Sequence, residues 1–260
     1  MMSPQRNPFT KGSPVFGAWT SLGHPSITEI FTHIKVDFVG IDLEHSTISQ
    51  EQAQRIIAAS HARGIACLPR LSSHNGEQIK RLLDSGADGV IVPMVSTRAQ
   101  VEQIVEWCKY PPIGKRSYGI ARAQDYGFDF ENYTSTWNDR SVIIIQIESI
   151  QGVEAVDDLL SRDGVDGAMV GPYDLSGSLG IPGRLSDPRV TEACTRVLQA
   201  CRHTGKACGT HITEPTEQNV RKAFDSGYSF VVLASDVFVL WKWSEGMQSL
   251  VDVIRREKGS

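Results

Sequence analysis

Polar residues in this sequence stand at the ends of short apolar segments, where chemistry is possible. In SVIIIQIES, residues 141–149, an unbroken β-branched run is followed by Gln146 and Glu148. Such a run is typical of a strand that is covered on both faces. Burying a carboxylate costs several kcal/mol unless a partner compensates it, so Glu148 requires one.

A second carboxylate, Asp174, follows the next apolar segment in VGPYDLSGSLG. Two carboxylates at the ends of adjacent strands repel, so either one stays protonated or a cation lies between them. Carboxylate and water ligands suit a hard divalent ion such as Mg²⁺ or Mn²⁺. The alternative is that Glu148 pairs with an Arg while Asp174 caps the DLSGS turn, a common arrangement. The pair taken together favours the metal.

Two further residues could move a proton or hold negative charge. His45 follows two acidic residues in GIDLEHS, where a neutral imidazole can act as a base near pH 7; alternatively, it is structural and Glu44 is its ionic neighbour. Arg70 directly follows a Pro, where its guanidinium could hold a carboxylate or a developing enolate. Its alternative is an ion pair with Glu148 or Asp42.

A recurring junction defines the elements that position these residues. A helical pattern ends in Gly and a short apolar strand follows, as in HARGIACLP, LLDSGADGVIVP and AFDSGYSFVVL. Gly at this position takes the left-handed conformation that ends a helix. The pattern predicts eight strands, at about 15–19, 38–41, 65–69, 89–92, 142–147, 167–170, 206–210 and 230–233.

Strands that alternate with amphipathic helices indicate βαβ units and a parallel sheet. Eight units predict a single (β/α)8 barrel domain over residues 1–260. A doubly wound open sheet is the competitor, but no G-x-G-x-x-G follows the first strand. In such barrels the chemistry lies at the carboxyl ends of the strands, where six of the eight predicted strands place ionisable groups. That rim also includes Trp19, Gln146, His211 and Asp236.

Composition limits the partners and the compartment. The chain has 260 residues, a formal net charge of −4 and no basic stripe, which argues against nucleic acid and anionic membranes. The first residues contain no apolar signal segment, and no apolar run approaches the roughly 20 residues of a membrane span. Five cysteines without a C-x-x-C pair argue against a disulfide framework or a zinc site. The expected location is the reducing cytoplasm.

The connection between the fourth and fifth strands is unusually long. After its helix it continues through KYPPIGKRSYGIARAQDYGFDFENYTSTWND. A loop-rich stretch of about 30 residues in a compact domain usually forms a lid, a binding loop or a subunit contact. We therefore expect residues 110–139 to cover the rim or to pack on another subunit.

Six motifs in order resemble the HpcH/HpaI family of class II, metal-dependent pyruvate aldolases. They are DFVGIDLEH, PR at 69–70, LLDSGADGVIVPMV, GKRSYGIARA, QIES and GPYDLSGSLG. The family includes 4-hydroxy-2-oxoheptanedioate aldolase and 2-keto-3-deoxy-sugar-acid aldolases. The resemblance implies a lyase that reversibly cleaves a 4-hydroxy-2-oxo acid to pyruvate and an aldehyde. It also leaves open a condensing, citrate-synthase-like transferase; a binding barrel without turnover would not need His45.

The resemblance also implies roles for individual residues. Glu148 and Asp174 hold Mg²⁺ or Mn²⁺, with Co²⁺ as a further option, and this Lewis acid promotes enolate formation from chelated pyruvate. Arg70 stabilises the enolate oxygen, and His45 is the acid–base group with help from Asp84 of LLDSGA. The residues that seat pyruvate are Gln146, the backbone of Gly171, Pro172, Tyr173 and Asp174, and Trp19 on the methyl side.

Three consequences of the resemblance concern assembly and specificity. From spacing alone Asp84 would be a surface residue at a helix end. Its catalytic role is implied only by the resemblance, which also implies that it acts from a neighbouring subunit. The family also implies a homo-oligomer, a hexamer or trimer of dimers, with the last helix at about 237–255 exchanged. Tyr173, Ser117 and His211 depart from common family patterns, which leaves the aldehyde open.

Overall fold

A closed barrel of parallel strands forms the centre of the molecule. This computed structural model describes residues 7–10 and 12–259, and within them eight strands follow one another around the barrel in chain order. The strands are β1 (Val15–Thr20), β2 (Phe38–Asp42), β3 (Ala66–Arg70), β4 (Gly89–Val92), β5 (Val142–Ile147), β6 (Gly167–Val170), β7 (Ala207–Ile212) and β8 (Phe230–Leu233). Pairing of β8 with β1 closes the barrel, which confirms the predicted (β/α)8 fold.

Helices surround the barrel and connect successive strands. They are α1 (Pro25–Thr32), α2 (Gln50–His61), α3 (Gly76–Asp84), α4 (Arg98–Cys108), α5 (Phe130–Arg140), α6 (Ile150–Glu154), α7 (Val156–Leu160), α8 (Pro172–Ser178), α9 (Pro188–Thr204), α10 (Glu217–Ser226) and α11 (Asp236–Lys258). Capping boxes begin α2 at Ser49 and α4 at Thr97. Left-handed glycines end α9 (Gly205, φ 69°) and α10 (Gly227, φ 109°), as the recurring junction predicts.

The alternation of side chains along each strand decides which strand-end residues face into the barrel. The interior cluster includes Val15, Phe38, Leu68, Ile91, Ile144, Met169 and Phe230. Continuing each inward set towards the carboxyl ends reaches Trp19, Asp42, Arg70, Gln146 and His211. These five side chains therefore line the mouth of the barrel, while the larger cluster packs between the strands and the helices.

The long connection before β5 lies at the amino-terminal end of the barrel. It joins the end of α4, which returns from the rim, to the start of β5, and Lys109 Nζ donates to the Ser141 carbonyl (2.9 Å) across this junction. Within one chain the segment therefore lies away from its own rim, which is at the other end of the barrel. Packing on another subunit remains a prediction.

Helix α5 occupies the second half of this segment, where the sequence appeared loop-rich. Its sequence FENYTSTWNDR is rich in residues with modest helix propensity. Buried Tyr133 and Trp137 anchor it to the domain, and Trp137 Nε1 donates to the Cys108 carbonyl (2.8 Å). Tertiary packing therefore stabilises a helix that local propensity does not predict.

The last helix, α11, carries many apolar side chains that this chain leaves exposed. Trp241 is 52% exposed and Trp243 is 65% exposed, and Val239, Leu240 and Leu250 share this exposure. Such a surface is typical of a helix that packs on a partner. Among the described residues, no helix is long and apolar enough to cross a membrane.

Candidate active site

Glu148 lies directly after β5 and is almost completely buried. Its side chain accepts two hydrogen bonds, at Oε1 from the backbone N–H of Met94 (2.6 Å) and at Oε2 from Nε2 of Gln146 (2.6 Å). Burial raises the pKa of Glu148 to about 7, and the charges of Glu44 and Asp174 act in the same direction. The Met94 N–H and the charge of Arg70 only partly offset this rise. The carboxylate therefore lies in a site that favours an added cation.

Asp174 stands in the first turn of α8, the helix that begins after β6. Its side chain is exposed at the mouth, and its charge raises the pKa of both Glu148 and Glu44. Among the described residues, no group of three or more His, Cys, Asp or Glu side chains has the geometry to enclose a metal ion. Glu148 and Asp174 fit instead a two-carboxylate site, which substrate oxygens and water would complete.

Gly171 allows the backbone before α8 to approach Glu148 closely. A Cβ atom at position 171 would lie 3.0 Å from both Cβ and Oε2 of Glu148. Contacts this short force one neighbour to move, and Glu148 is held at both oxygens. The glycine therefore preserves the carboxylate position.

We expect Gly171→Ala to weaken Mg²⁺ or Mn²⁺ binding by about 10- to 100-fold, the loss typical when the group that orients a ligand is disturbed. Isothermal titration calorimetry with the metal alone measures this loss. Gly177→Ala, within the following helix α8, is the matched control, because its added Cβ would meet no atom within 4 Å beyond its chain neighbours and the backbone of its own helix. Equal affinity in both variants would contradict the role given to Gly171.

Arg70 is anchored at the mouth by two acidic residues. Its Nε and Nη2 donate to Oδ1 (3.2 Å) and Oδ2 (2.8 Å) of Asp42, and Nη1 lies 3.0 Å from Oε2 of Glu44. Burial acts to raise the pKa of Asp42, but the charge of Arg70 and the hydrogen bonds that Asp42 accepts together outweigh burial, so the pKa is lowered. The guanidinium is also 5.2 Å from the ring centroid of Trp19. The ion pair with Asp42 is thus real, and it fixes the orientation of the arginine.

Glu44 is also a member of the site. The sequence indicated no role for it beyond that of an ionic neighbour of His45. Burial is the main cause that raises its pKa, opposed by the charges of Arg70 and His45. The residue follows β2 rather than lying within it, so strand alternation does not indicate its direction. The acidic cluster DLE was the available signal, and only the folded chain shows that its last member faces Arg70.

His45 is exposed at the mouth and does not belong to the core. Its side chain is 70% exposed, and its Nε2 lies 3.7 Å from Oε2 of Glu44. Its backbone N–H donates to Oδ1 of Asp42 (3.0 Å), which holds the loop after β2 against the strand end. The imidazole is therefore free to meet a substrate that enters from solvent.

The remaining predicted substrate-contacting residues form the walls and the edge of the mouth. Trp19 is only 2% exposed and lies in the inner wall. Gln146 donates to Glu148, and its Oε1 is buried without a hydrogen-bond partner among the described residues. Pro172 begins α8, and Tyr173 is 64% exposed above the mouth. Asp236 has a structural position instead, because it accepts from Thr20 Oγ1 (2.8 Å).

Asp84 is not brought to this site within one chain. It ends α3, at the amino-terminal end of the barrel, opposite to Glu148. Nη2 of the fully buried Arg116 side chain donates to Asp84 Oδ1 (2.8 Å). The cation lies among the rings of Tyr110 (4.7 Å) and Trp137 (4.6 Å). Arg116 was not singled out in the sequence, where GKRSYG gave no sign of this aromatic surrounding.

The chain is similar to known proteins in both sequence and structure. A family model described as HpcH/HpaI aldolase/citrate lyase matches residues 16–242. The chain is 31% identical over 247 residues to a hydroxypyruvate/pyruvate aldolase of Roseobacter denitrificans, which covers 91% of this chain and 95% of that protein.

Two solved structures are similar over nearly their whole length. The crystal structure of an HpcH/HpaI aldolase from Desulfitobacterium hafniense has a TM-score of 0.85 at 27% identity, covering 95% of this chain and 94% of that one. The crystal structure of the citrate synthase SbnG has a TM-score of 0.81 at 28% identity, covering 96% and 97%.

Proposed function

Because this chain belongs to the HpcH/HpaI aldolase/citrate lyase family and is an aldolase of the class II type, we propose the reaction that its site supports. It reversibly cleaves a 4-hydroxy-2-oxo acid to pyruvate, or a related 2-oxo acid, and a small aldehyde. The observation that carries this proposal is the pair Glu148 and Asp174 beside the anchored cation of Arg70. A buried carboxylate with a raised pKa, next to other carboxylates, is a typical functional arrangement.

The donor atoms at the mouth fit a divalent ion. Glu148 and Asp174 would hold Mg²⁺, Mn²⁺ or Co²⁺, because hard oxygen ligands suit such ions and the local charge is negative. When bound, the ion supplies a Lewis acid that polarises the 2-oxo group of the donor. Gln146 orients Glu148 through its amide N–H, so the ligand is held before the substrate arrives.

Arg70 supplies positive charge where the enolate oxygen develops. Asp42 holds its guanidinium by two hydrogen bonds, so the arginine is oriented before the reaction begins. Preorganised donors of this kind stabilise developing charge more strongly than mobile ones. Trp19 covers the guanidinium face and excludes water from that side.

We assign His45 to proton transfer at the hydroxyl of the aldol adduct. General acid–base assistance is worth about 10²–10⁴ in rate, so His45→Ala should lower cleavage by that factor. Exchange of the pyruvate methyl protons should fall much less, since the adduct hydroxyl takes no part in it. Cleavage is followed by coupled assay and exchange by NMR, with the exposed His203 changed to Ala as control. Equal loss of both would make His45 the base for pyruvate as well.

Asp84 can take part in the proposed reaction only if the chain forms an oligomer. Its position at the opposite end of the barrel means that a neighbouring subunit would have to bring it near His45. The exposed apolar surface of α11 supports a homo-oligomer, for which we propose the hexamer or trimer of dimers of the family.

A condensing transferase is the second candidate, because the fold and length of SbnG are also similar. Both reactions begin with an enolate, so the second substrate separates them. Product analysis after incubation of the protein with pyruvate and small aldehydes, or with oxaloacetate and an acetyl thioester, distinguishes an aldolase from a citrate-forming enzyme.

The proposed reaction is tested before any aldehyde is known. Incubation with pyruvate in deuterated water should remove the methyl proton signal when Mg²⁺ or Mn²⁺ is present. EDTA should stop this exchange, and re-addition of metal should restore it. Full exchange or turnover in EDTA would overturn the metal-dependent reaction.

A further inference from the structure

His211 is an inward-facing residue of the mouth to which neither the proposed metal site nor the proton transfer assigns a role. On β7 the inward set runs Ala207, Gly209, His211, and the register places His211 beside Val232 of β8. The imidazole packs against the ring of Trp19 (centroids 5.6 Å apart) and against Phe238 at an interplanar angle of 88° (5.9 Å). Two aromatic rings therefore fix its orientation in the inner wall.

One nitrogen of this imidazole lacks a partner. Nε2 of His211 is buried and forms no hydrogen bond to any described residue. Burial lowers the pKa of His211 to about 4, partly offset by a hydrogen bond to the backbone of Ala234. The ring is thus neutral at neutral pH, with its one proton directed to that backbone. Nε2 remains as a bare acceptor, and buried acceptors are seldom left unpaired.

The position of His211 Nε2 matches one end of the bound 2-oxo acid, which is the donor substrate of the aldol reaction. Substrate oxygens would be directed towards Glu148 and Asp174, which follow β5 and β6. The third carbon of the 2-oxo acid would then lie against the wall section of β7, β8 and β1, where the family resemblance places Trp19 on the methyl side of pyruvate. Trp19 and His211 stand in that wall, and the charges of Arg70 and Asp42 both act on His211.

We propose that His211 Nε2 accepts a hydrogen bond from a hydroxyl on carbon 3 of the donor, so that the enzyme prefers a 3-hydroxy-2-oxo acid to pyruvate. This inference rests on the proposed function and adds its donor class. A bare methyl group leaves Nε2 unpaired, whereas a hydroxyl satisfies it, and sites built for a hydroxyl discriminate strongly against analogues that lack one. His211 takes no proton in the reaction; it determines specificity.

The test compares two donors with an acceptor that carries no hydroxyl. Hydroxypyruvate and pyruvate are each condensed with acetaldehyde, so that only the donor can offer a hydroxyl to His211. We expect wild type to show the higher kcat/KM for hydroxypyruvate. His211→Leu should lower kcat/KM for hydroxypyruvate by about 10-fold or more while pyruvate changes little. His211→Gln, whose amide oxygen can accept at the same distance along the side chain, should recover most of the preference.

His203→Leu, an exposed His-to-Leu change on α9, is the matched control and should leave the ratio unchanged. Equal loss of both donors in His211→Leu, with an unchanged melting temperature, would overturn the inference and make His211 a support for Trp19. A wild-type preference for pyruvate would overturn it too. These results leave aldol activity in place, whereas absence of metal-dependent reaction with either donor overturns the proposed function itself and the inference with it.

Discussion

Glu148→Gln should abolish detectable Mg²⁺ or Mn²⁺ binding and lower aldol turnover by about 10³-fold or more, because a Lewis acid contributes several kcal/mol to such a reaction. The substitution removes one of only two carboxylates in the proposed metal site. Folding should survive, since the amide can still accept from the Met94 N–H, and Gln146 can turn its unpartnered Oε1 towards the new NH₂. Loss of function would then report on the metal rather than on the fold.

Calorimetry with the metal alone, NMR exchange of pyruvate and a thermal melt separate these effects. Because burial already disfavours the charged form of Glu148, the melting temperature of the metal-free variant should not fall. Glu154→Gln, an exposed residue at the end of α6, is the matched control. Wild-type turnover in Glu148→Gln would refute the proposed metal site.

Arg70→Ala should bind metal normally yet exchange the methyl protons of pyruvate about 10²–10³ times more slowly, the usual cost of removing one donor that stabilises developing negative charge. The metal carboxylates do not depend on Arg70 for hydrogen bonds, so binding of the ion measured by calorimetry should persist. The variant also leaves Asp42 and Glu44 without their cation, and we expect a lower melting temperature.

Arg70→Lys separates the contribution of Arg70 to protein stability from its contribution to the rate of proton exchange. A lysine keeps the positive charge between Asp42 and Glu44 but cannot reproduce the forked hydrogen bonds that orient the guanidinium. It should recover most of the melting temperature while exchange stays slow. Arg81→Ala on α3, which breaks an exposed ion pair with Glu77, is the control. Wild-type exchange in Arg70→Ala would reduce Arg70 to a structural ion pair.

The sequence alone determined the architecture and most of the rim. Unbroken apolar runs, as in β5, and glycines after helices, as at Gly205 and Gly227, act over a few residues, so they are visible without the fold. Because the barrel brings the carboxyl ends of all strands to one face, knowing those ends was enough to expect Trp19 and Arg70 at one mouth. The sequence did not predict helix α5, because the stability of this helix comes from packing rather than from local propensity.

The tertiary structure decided which of these side chains contact one another. Arg70 pairs with Asp42 and Glu44 rather than with Glu148, because strand register and the path of the loop after β2 set those distances. The unpaired Nε2 of His211 depends on the rings packed around it, which no local pattern specifies. Asp84 lies at the far end of the barrel, since α3 returns from the rim before it ends. Pairing and desolvation arise from residues far apart in the chain, so only the folded molecule reveals them.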